Sequence, residues 1–443
     1  MNRDTAIEIA AIIIPTFVLW MQYLKGKKKK ERQNTAQLKI NEQEGLTEPP
    51  SLHPVIDPAL CLGSGACVTA CPEGDVLGLI DGKAQLINPT HCIGHGACLP
   101  ACPFEAITLV FGTEKRGVDI PQMNANFETN VPGIFIAGEL GGMGLIYNAT
   151  EQGRQAMDGI AEFLKAAPKS KTPKERKPFD VLIVGAGPAG FSASLSALEK
   201  GLSYKTIEQE SLGGRVAHYP RGKIVMTRPA VLPMHGKLKI RETTKEALLA
   251  AWQEIEAKTG VQISGDERMT AIKKTAHGFE VETSRGVYES RAVLLAIGRG
   301  GTPRKLGVPG ERLSKVVYRL SDPEQYRGQK VFVVGGGDTA LEAAIALSKE
   351  PGTEVSLSYR AAAFSRAKTK NREDLQSLQE AQKLRVYLES QVQEIASEWV
   401  SLRCGDKTVK CENDAVIICA GGILPTDLLK NLGIAVETHF GTA

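Results

Sequence analysis

Aromatic residues are scarce, at 5% of 443, whereas a nucleic-acid-binding face interleaves aromatics with basic side chains. Positive charge is not spread over the chain either. The formal net charge is only +4, and two short stretches, 25–32 (KGKKKKER) and 165–178 (KAAPKSKTPKERKP), each hold six basic residues and one acidic residue. The rest of the chain is left at about −6. Nucleic acid is therefore not an expected partner. No C-x2-C pair occurs among the nine cysteines, which argues against structural zinc, and disulfides do not persist in the cytoplasm. With 42% apolar and 23% charged residues the chain is neither disordered nor fibrous, and it is long enough for two or three packed cores. Glycine, by contrast, is abundant at 45 residues.

Only one long apolar run is present. Ala6 to Leu24 spans 19 residues with Glu8 as its one charged side chain, a length that predicts a transmembrane helix. A secretory signal would place its positive charge before the run; here Lys25, Lys27, Lys28, Lys29 and Lys30 follow it, which keeps the remainder on the cytoplasmic side. The expectation is a single-pass anchor over 1–24 in an inner or cytoplasmic membrane, with membrane lipid as its partner. Residues 25–52, polar and ending near Pro49-Pro50, read as a tether.

Residues 61–72 (CLGSGACVTACP) and 92–103 (CIGHGACLPACP) are identical at eight of twelve positions and offset by 31. The repeat follows the bacterial two-cluster ferredoxin pattern C-x2-C-x2-C-x3-C-P, except that the second cysteine slot is Ser64 in one copy and His95 in the other. In that pattern the fourth cysteine of each run ligates the other cluster. Cys61, Cys67 and Cys102 are then expected to hold one iron-sulfur cluster, and Cys92, Cys98 and Cys71 the other. Each site has three thiolates. Either a 3Fe-4S cluster forms, or a 4Fe-4S cluster takes His95, Ser64 or water as its last ligand. Cys404, Cys411 and Cys419 lie in apolar, strand-like surroundings and read as core residues.

Two glycine fingerprints follow. DVLIVGAGPAG (180–190) runs from a short apolar strand into GxGxxG and on into a helical stretch. Gly185 permits the tight turn, Gly187 lets backbone approach a pyrophosphate, and Gly190 lets helix and strand pack closely. Glu208, 23 residues after Gly185, is placed to accept a ribose hydroxyl. The set favours an adenosine without a 2′-phosphate and comprises Gly185, Gly187, Pro188, Ala189, Gly190, Glu208 and Gly213. KVFVVGGGDTA (330–340) repeats the pattern, but the same count from Gly335 ends on Ser358, followed by Arg360 and Arg366. Without the acid, and with two guanidinium groups at hand, the site favours a 2′-phosphate. NADPH is thus expected on Gly335, Gly337, Asp338, Thr339, Ala340, Ser358, Arg360 and Arg366, with NADH the weaker alternative.

These fingerprints, with LLAIGRGGTPRKLGVPG (294–310) and YRLSDPEQYRGQKVFVVGGGDTALEA (318–343), resemble the thioredoxin-reductase-like flavoproteins, including the ferredoxin-NADP reductases and bacillithiol disulfide reductases. The resemblance implies an α/β fold with two Rossmann-like domains, one for FAD and an inserted one for NADPH, beside a small α+β ferredoxin-like domain. Such proteins end in a vPGxFAxGD segment that closes the FAD domain. Here VPGIFIAGE stands at 131–139, far upstream, and Phe111-Gly112-Thr113 repeats Phe440-Gly441-Thr442. The order reads as a circular permutation, and the resemblance places Gly138 and Glu139 on the flavin. The expected organisation is anchor 1–24, tether 25–52, ferredoxin-like domain 53–111, closing segment 112–164, linker 165–178, FAD domain 179–300, NADPH domain 301–420 and a return to the FAD domain over 421–443.

Thioredoxin-type reductases pass electrons to a C-x2-C before the second fingerprint, but 301–334 contains no cysteine. Dithiol chemistry is therefore not expected. A hydride donor site, a flavin and one-electron carriers remain, and flavin links two-electron to one-electron chemistry. The expectation is an NADPH-linked flavo-iron-sulfur oxidoreductase serving a quinone, cytochrome complex or ferredoxin. The alternative is an electron-transfer subunit of a larger membrane complex, with a redox-inactive scaffold or disulfide reductase-like protein behind it. A homodimer is compatible with either, and no residue stands out as a general acid or base.

Overall fold

The computed structural model describes residues 3–43, 46–49, 52–92, 94–114, 117–142, 144–166, 178–226, 230–238, 242–365, 367–423 and 425–441. The chain divides into two compact units, with the boundary between Val110 and Phe111.

The first unit opens with helix α1 (Arg3–Gln43), 41 residues long with Pro15 inside it. Helix-forming Lys, Glu, Gln and Ala fill its second half, and that half is pinned down. Asn34 Nδ2 donates to Leu79 O (3.0 Å), and buried Asn41 Nδ2 donates to Ile87 O and Asn88 Oδ1 (2.7 Å each). Glu31 Oε1 accepts from Asp81 N (2.5 Å). A side chain at Gly78 would collide with Asn34, so glycine there lets the helix approach. This corrects the tether expected over 25–52: as far as Gln43 it is helix, docked by amide hydrogen bonds.

The span expected at 6–24 falls partly outside the described residues, which leave out the side chains of 6–13, and the rest does not support it. Among the described residues no helix is long and apolar enough to cross a membrane.

Strand β1 (His53–Ile56) leads to α2 (Ala66–Ala70), the hairpin β2 (Leu77–Ile80) and β3 (Lys83–Leu86), α3 (Cys98–Ala101) and β4 (Ile107–Val110). β1 and β4 pair antiparallel, as do β2 and β3. Their inner faces enclose Val76, Leu77, Ala84, Ala106 and Ile107 together with Cys61, Cys67, Cys92 and Cys98.

The second unit contains two α/β layers. In the first, parallel β7 (Phe179–Val184) and β8 (Tyr204–Ile207) join strand Val287–Leu295, and α5 (Pro188–Glu199) connects β7 to β8. Strand β6 (Ile134–Ile136), over 150 residues before its partner, pairs parallel with Val293–Leu295. Helix α4 (Ile146–Ala166) then packs on α5, where Gly153 admits the Ala189 carbonyl. The second layer is an all-parallel sheet of Val316–Val317, Ala415–Ile418, Lys330–Val334, Glu354–Ser358 and Leu384–Tyr387. Its two connections to the first layer run side by side, Thr302–Pro303 antiparallel to Gly422–Ile423. The last strand, Val436–His439, pairs antiparallel with β5 (Val118–Pro121), and Gly441 lies against the Gly112 carbonyl. The two Phe-Gly-Thr copies thus begin side by side. The linker expected at 165–178 falls, from 167 to 177, outside the described residues.

Candidate functional site

At the first fingerprint, β7 ends in Gly185, whose φ of +103° only glycine adopts without strain. Gly190 sits against the Gly185 carbonyl, and Gly187 caps α5 with Pro188 in its first turn. A side chain at Gly187 would meet only the Gly213 carbonyl oxygen, in ordinary contact at 3.9 Å. An open backbone position at a helix N-terminus fits a pyrophosphate. Glu208 is buried; its Oε2 accepts from Ala186 N (2.7 Å) inside the glycine loop. Burial raises its carboxyl above the ordinary value, opposed by backbone N–H donors led by Ala186. Gly213 (φ +106°) donates to Ala186 O (2.9 Å), so the 213–214 turn lies on the same loop.

The upstream segment reaches this place too. Gly138 (φ +82°) packs on Ala189, and its N–H donates to Gln152 Oε1 of α4 (2.8 Å). The Glu139 carboxylate lies near Gly298. Around it stand groups that the sequence reading did not single out. Arg299 Nη2 donates to Asp119 O (3.0 Å); burial lowers its pKa, and the charges of Glu139 and Asp119 oppose that shift. Burial raises the Tyr219 hydroxyl, and Glu139 raises it further. Lys223 Nζ lies 4.5 Å from the Tyr219 ring centroid and 2.6 Å from Glu342 Oε2, joining the first layer to helix Asp338–Leu347 of the second. Arg299 lies inside the quoted 294–310 run, but only tertiary packing reveals its burial.

At the second fingerprint Gly335 (φ +145°) repeats the turn against the Cys419 carbonyl, and Gly337 is again open at a helix start. Ala340 is buried and Thr339 exposed. Asp338 Oδ1 accepts from Lys368 N and Asn371 Nδ2 (2.8 Å each). Ser358 is buried with its hydroxyl on Ser390 Oγ (2.8 Å), which turns it inward. Arg360 is exposed beyond the strand end, and Arg366 lies outside the described residues. The Tyr359 ring, stacked on Phe364 with centroids 5.3 Å apart, covers Gly336.

The six cysteines of the repeat pack in one apolar group. Burial raises the Cys67 thiol, and the sulfurs of Cys61 and Cys102 raise it further. Burial pushes Cys92 up to about 11, with Cys98 and Cys71 adding to it. Among the described residues no three His, Cys, Asp or Glu side chains form a site for a single metal ion. Thiols grouped this way in apolar surroundings fit instead the thiolate demand of a multi-iron cluster. The second trio shares a cavity with His95, Glu73 and Val76, and His95 Nε2 lies 3.7 Å from Glu73 Oε1. Ser64, at the matching place in the first trio, is exposed, and its hydroxyl accepts from Ala66 N (3.4 Å).

The pyridine nucleotide-disulphide oxidoreductase family matches residues 182–441, more than half of the chain. The chain belongs to that family. A 4Fe-4S dicluster domain matches 53–103. The family brings FAD and NAD(P)H as cofactors, and the dicluster domain brings 4Fe-4S clusters. The ferredoxin–NADP reductase of Ignicoccus hospitalis is 35% identical over 41% of this chain and 56% of its own length. That of Thermus thermophilus is 30% identical over 59% of this chain and 78% of its own. The chain thus spans little more than half of the Ignicoccus reductase. The fold is also that of bacillithiol disulfide reductase from Staphylococcus aureus, with TM-score 0.54 at 23% identity, over 59% of this chain and 82% of that one.

Proposed function

We propose that this chain is an NADPH-linked flavo-iron-sulfur oxidoreductase, exchanging electron pairs with the nicotinamide and single electrons with a redox partner. The observation that carries the reading is the packing of six cysteines, spaced in the sequence as two runs of three, in one apolar group of a chain that also holds two dinucleotide folds. Cys61, Cys67 and Cys102 hold one cluster and Cys92, Cys98 and Cys71 the other, with His95 facing the second. FAD lies on Gly185, Gly187, Glu208 and the Gly138-Glu139 turn. NADPH lies on Gly335 and Gly337, with Arg360 toward its 2′-phosphate. FAD, when bound, supplies the conversion between paired and single electrons; the protein orients both nucleotides and keeps the sulfurs dry. The pairing of Val436–His439 with β5, and of β6 with Val293–Leu295, supports the permuted order.

Membrane association rests on α1, where Ile14, Phe17, Val18, Leu19, Trp20 and Tyr23 are exposed ahead of the lysine run, a pattern suited to an anionic lipid surface. It also favours the second reading, a subunit working inside a membrane complex. Anaerobically purified full-length chain should contain flavin and acid-labile sulfide, and NADPH should bleach both chromophores. Bleaching of flavin alone would overturn the electron-transfer reading. Transfer to ferricyanide but not to a quinone would select the subunit, and failure to float with anionic vesicles would remove the membrane role.

A further inference from the structure

Segments 57–62 and 102–106 meet at one end of the first unit. Asp57 N donates to Ala106 O (2.9 Å) just past the β1–β4 ladder, and Cys61 N donates to Asp57 O (3.0 Å). Both segments carry cysteines of the same set, Cys61 and Cys102. In the same segments the chain leaves large apolar side chains in solvent: Leu60 is 51% exposed, Leu62 66% and Phe104 39%, while Cys61 is 7% exposed. Apolar groups clustered over a buried centre mark an interaction surface.

The charge around them narrows what fits. Residues 53–110 hold five carboxylates and one lysine. Asp57 and Glu105, both exposed, edge the apolar residues, and neither 53–62 nor 99–110 contains a lysine or arginine. The lone Lys83 has its ammonium group on Cys61 O (2.6 Å). An anionic lipid surface would be repelled at that edge, whereas a protein with an apolar centre and a rim of Lys and Arg is attracted to it. The patch is small, as befits the brief contacts of electron-transfer partners.

We propose that this face, Leu60, Leu62 and Phe104 edged by Asp57 and Glu105, is the docking surface for a basic one-electron carrier protein. The inference rests on the electron-transfer reading above. In each encounter one electron passes from the reduced chain to the carrier's oxidised metal, and no bond forms or breaks. Two encounters use one NADPH and release NADP+ and one proton.

The test is stopped-flow electron transfer from NADPH-reduced full-length chain to cytochrome c, a basic haem protein, with acidic cytochrome b5 as control. Asp57→Asn keeps an oxygen for the cap on Ala59 N (2.7 Å) while removing the charge. At low salt the pair Asp57→Asn with Glu105→Gln should slow cytochrome c about tenfold and flatten the salt dependence. Leu62→Ala with Phe104→Ala should slow it about tenfold with the salt dependence kept, and cytochrome b5 should be at least about tenfold slower throughout. Iron, sulfide and the NADPH–ferricyanide rate should match the unaltered chain, which separates docking from folding. Unchanged cytochrome c rates in either double variant, or equal rates for the two carriers, would overturn the surface. So would vesicle flotation lost from the Leu62/Phe104 variant with cytochrome c unaffected, which would make the face a membrane contact. If NADPH never bleaches the clusters, the underlying function fails; if it does and the variants are silent, only the docking surface fails.

Discussion

The two fingerprint loops share a backbone and differ at the sugar end. In both, a glycine of positive φ follows a parallel strand, faces a carbonyl from the next strand over, and is followed two residues later by an open glycine at a helix start. That is the part any dinucleotide needs, since backbone N–H groups must reach a pyrophosphate. At the end of the next strand the loops part. Glu208 reaches back to Ala186 N, whereas Ser358 turns inward to Ser390 and leaves the outer position to Arg360. On the proposed reading, one scaffold carries two cofactor preferences through a single carboxylate kept or lost.

The comparison breaks most visibly at the glycines. Gly185→Ala must adopt φ +103° and press on the Ala296 carbonyl, at about 1–2 kcal/mol for the backbone alone and more for the contact. Flavin content should fall below about a tenth of normal, whereas Gly335→Ala should keep the flavin and lose NADPH binding; absorbance and nucleotide titration separate the two. Glu208→Gln removes a charge-assisted hydrogen bond of about 1.5–3 kcal/mol, so the Kd for FAD should rise roughly 10- to 100-fold, read by flavin fluorescence. Arg360→Ala should cut the ratio of kcat/KM for NADPH over NADH about tenfold by loss of one charge-assisted contact; an unchanged ratio would remove Arg360 from the phosphate site. The smallest effect is in pH. Glu208, raised by burial, holds its proton in the folded, flavin-free chain after the unfolded chain has released it. Stability should therefore fall as pH rises from about 4.5 through the raised value. A Tm series on deflavinated protein should lose that component in Glu208→Gln.

The parts of the molecule that rest on spacing were open to reading from the sequence. Both strand–glycine–helix units lie where their motifs lie, because phosphate cradles demand glycine at set intervals, and the doubled cysteine run packs as one buried group. The parts that rest on distant packing were not. Nothing local marks Arg299, whose neighbours Asp119 and Glu139 are over 150 residues away. Ser358 kept its register but turns its hydroxyl inward, because Ser390, just past the neighbouring strand Leu384–Tyr387, meets it there. Residues 25–52 looked like a tether because they are polar and end near Pro49-Pro50, yet lysine is a good helix former, and Asn34 and Asn41 supply the docking that hydropathy does not register.

The place of β6 has a consequence for biosynthesis. Ile134, Phe135 and Ile136, all at most 1% exposed once folded, leave the ribosome well before the strand that shelters them, Val293–Leu295. At about 5–20 residues per second the nascent chain carries that bare, sticky edge for roughly 8 to 30 seconds. The other side of β6 is bonded locally to Phe127 and Thr129, so only the side awaiting Val293–Leu295 is open to association between neighbouring polypeptides during synthesis.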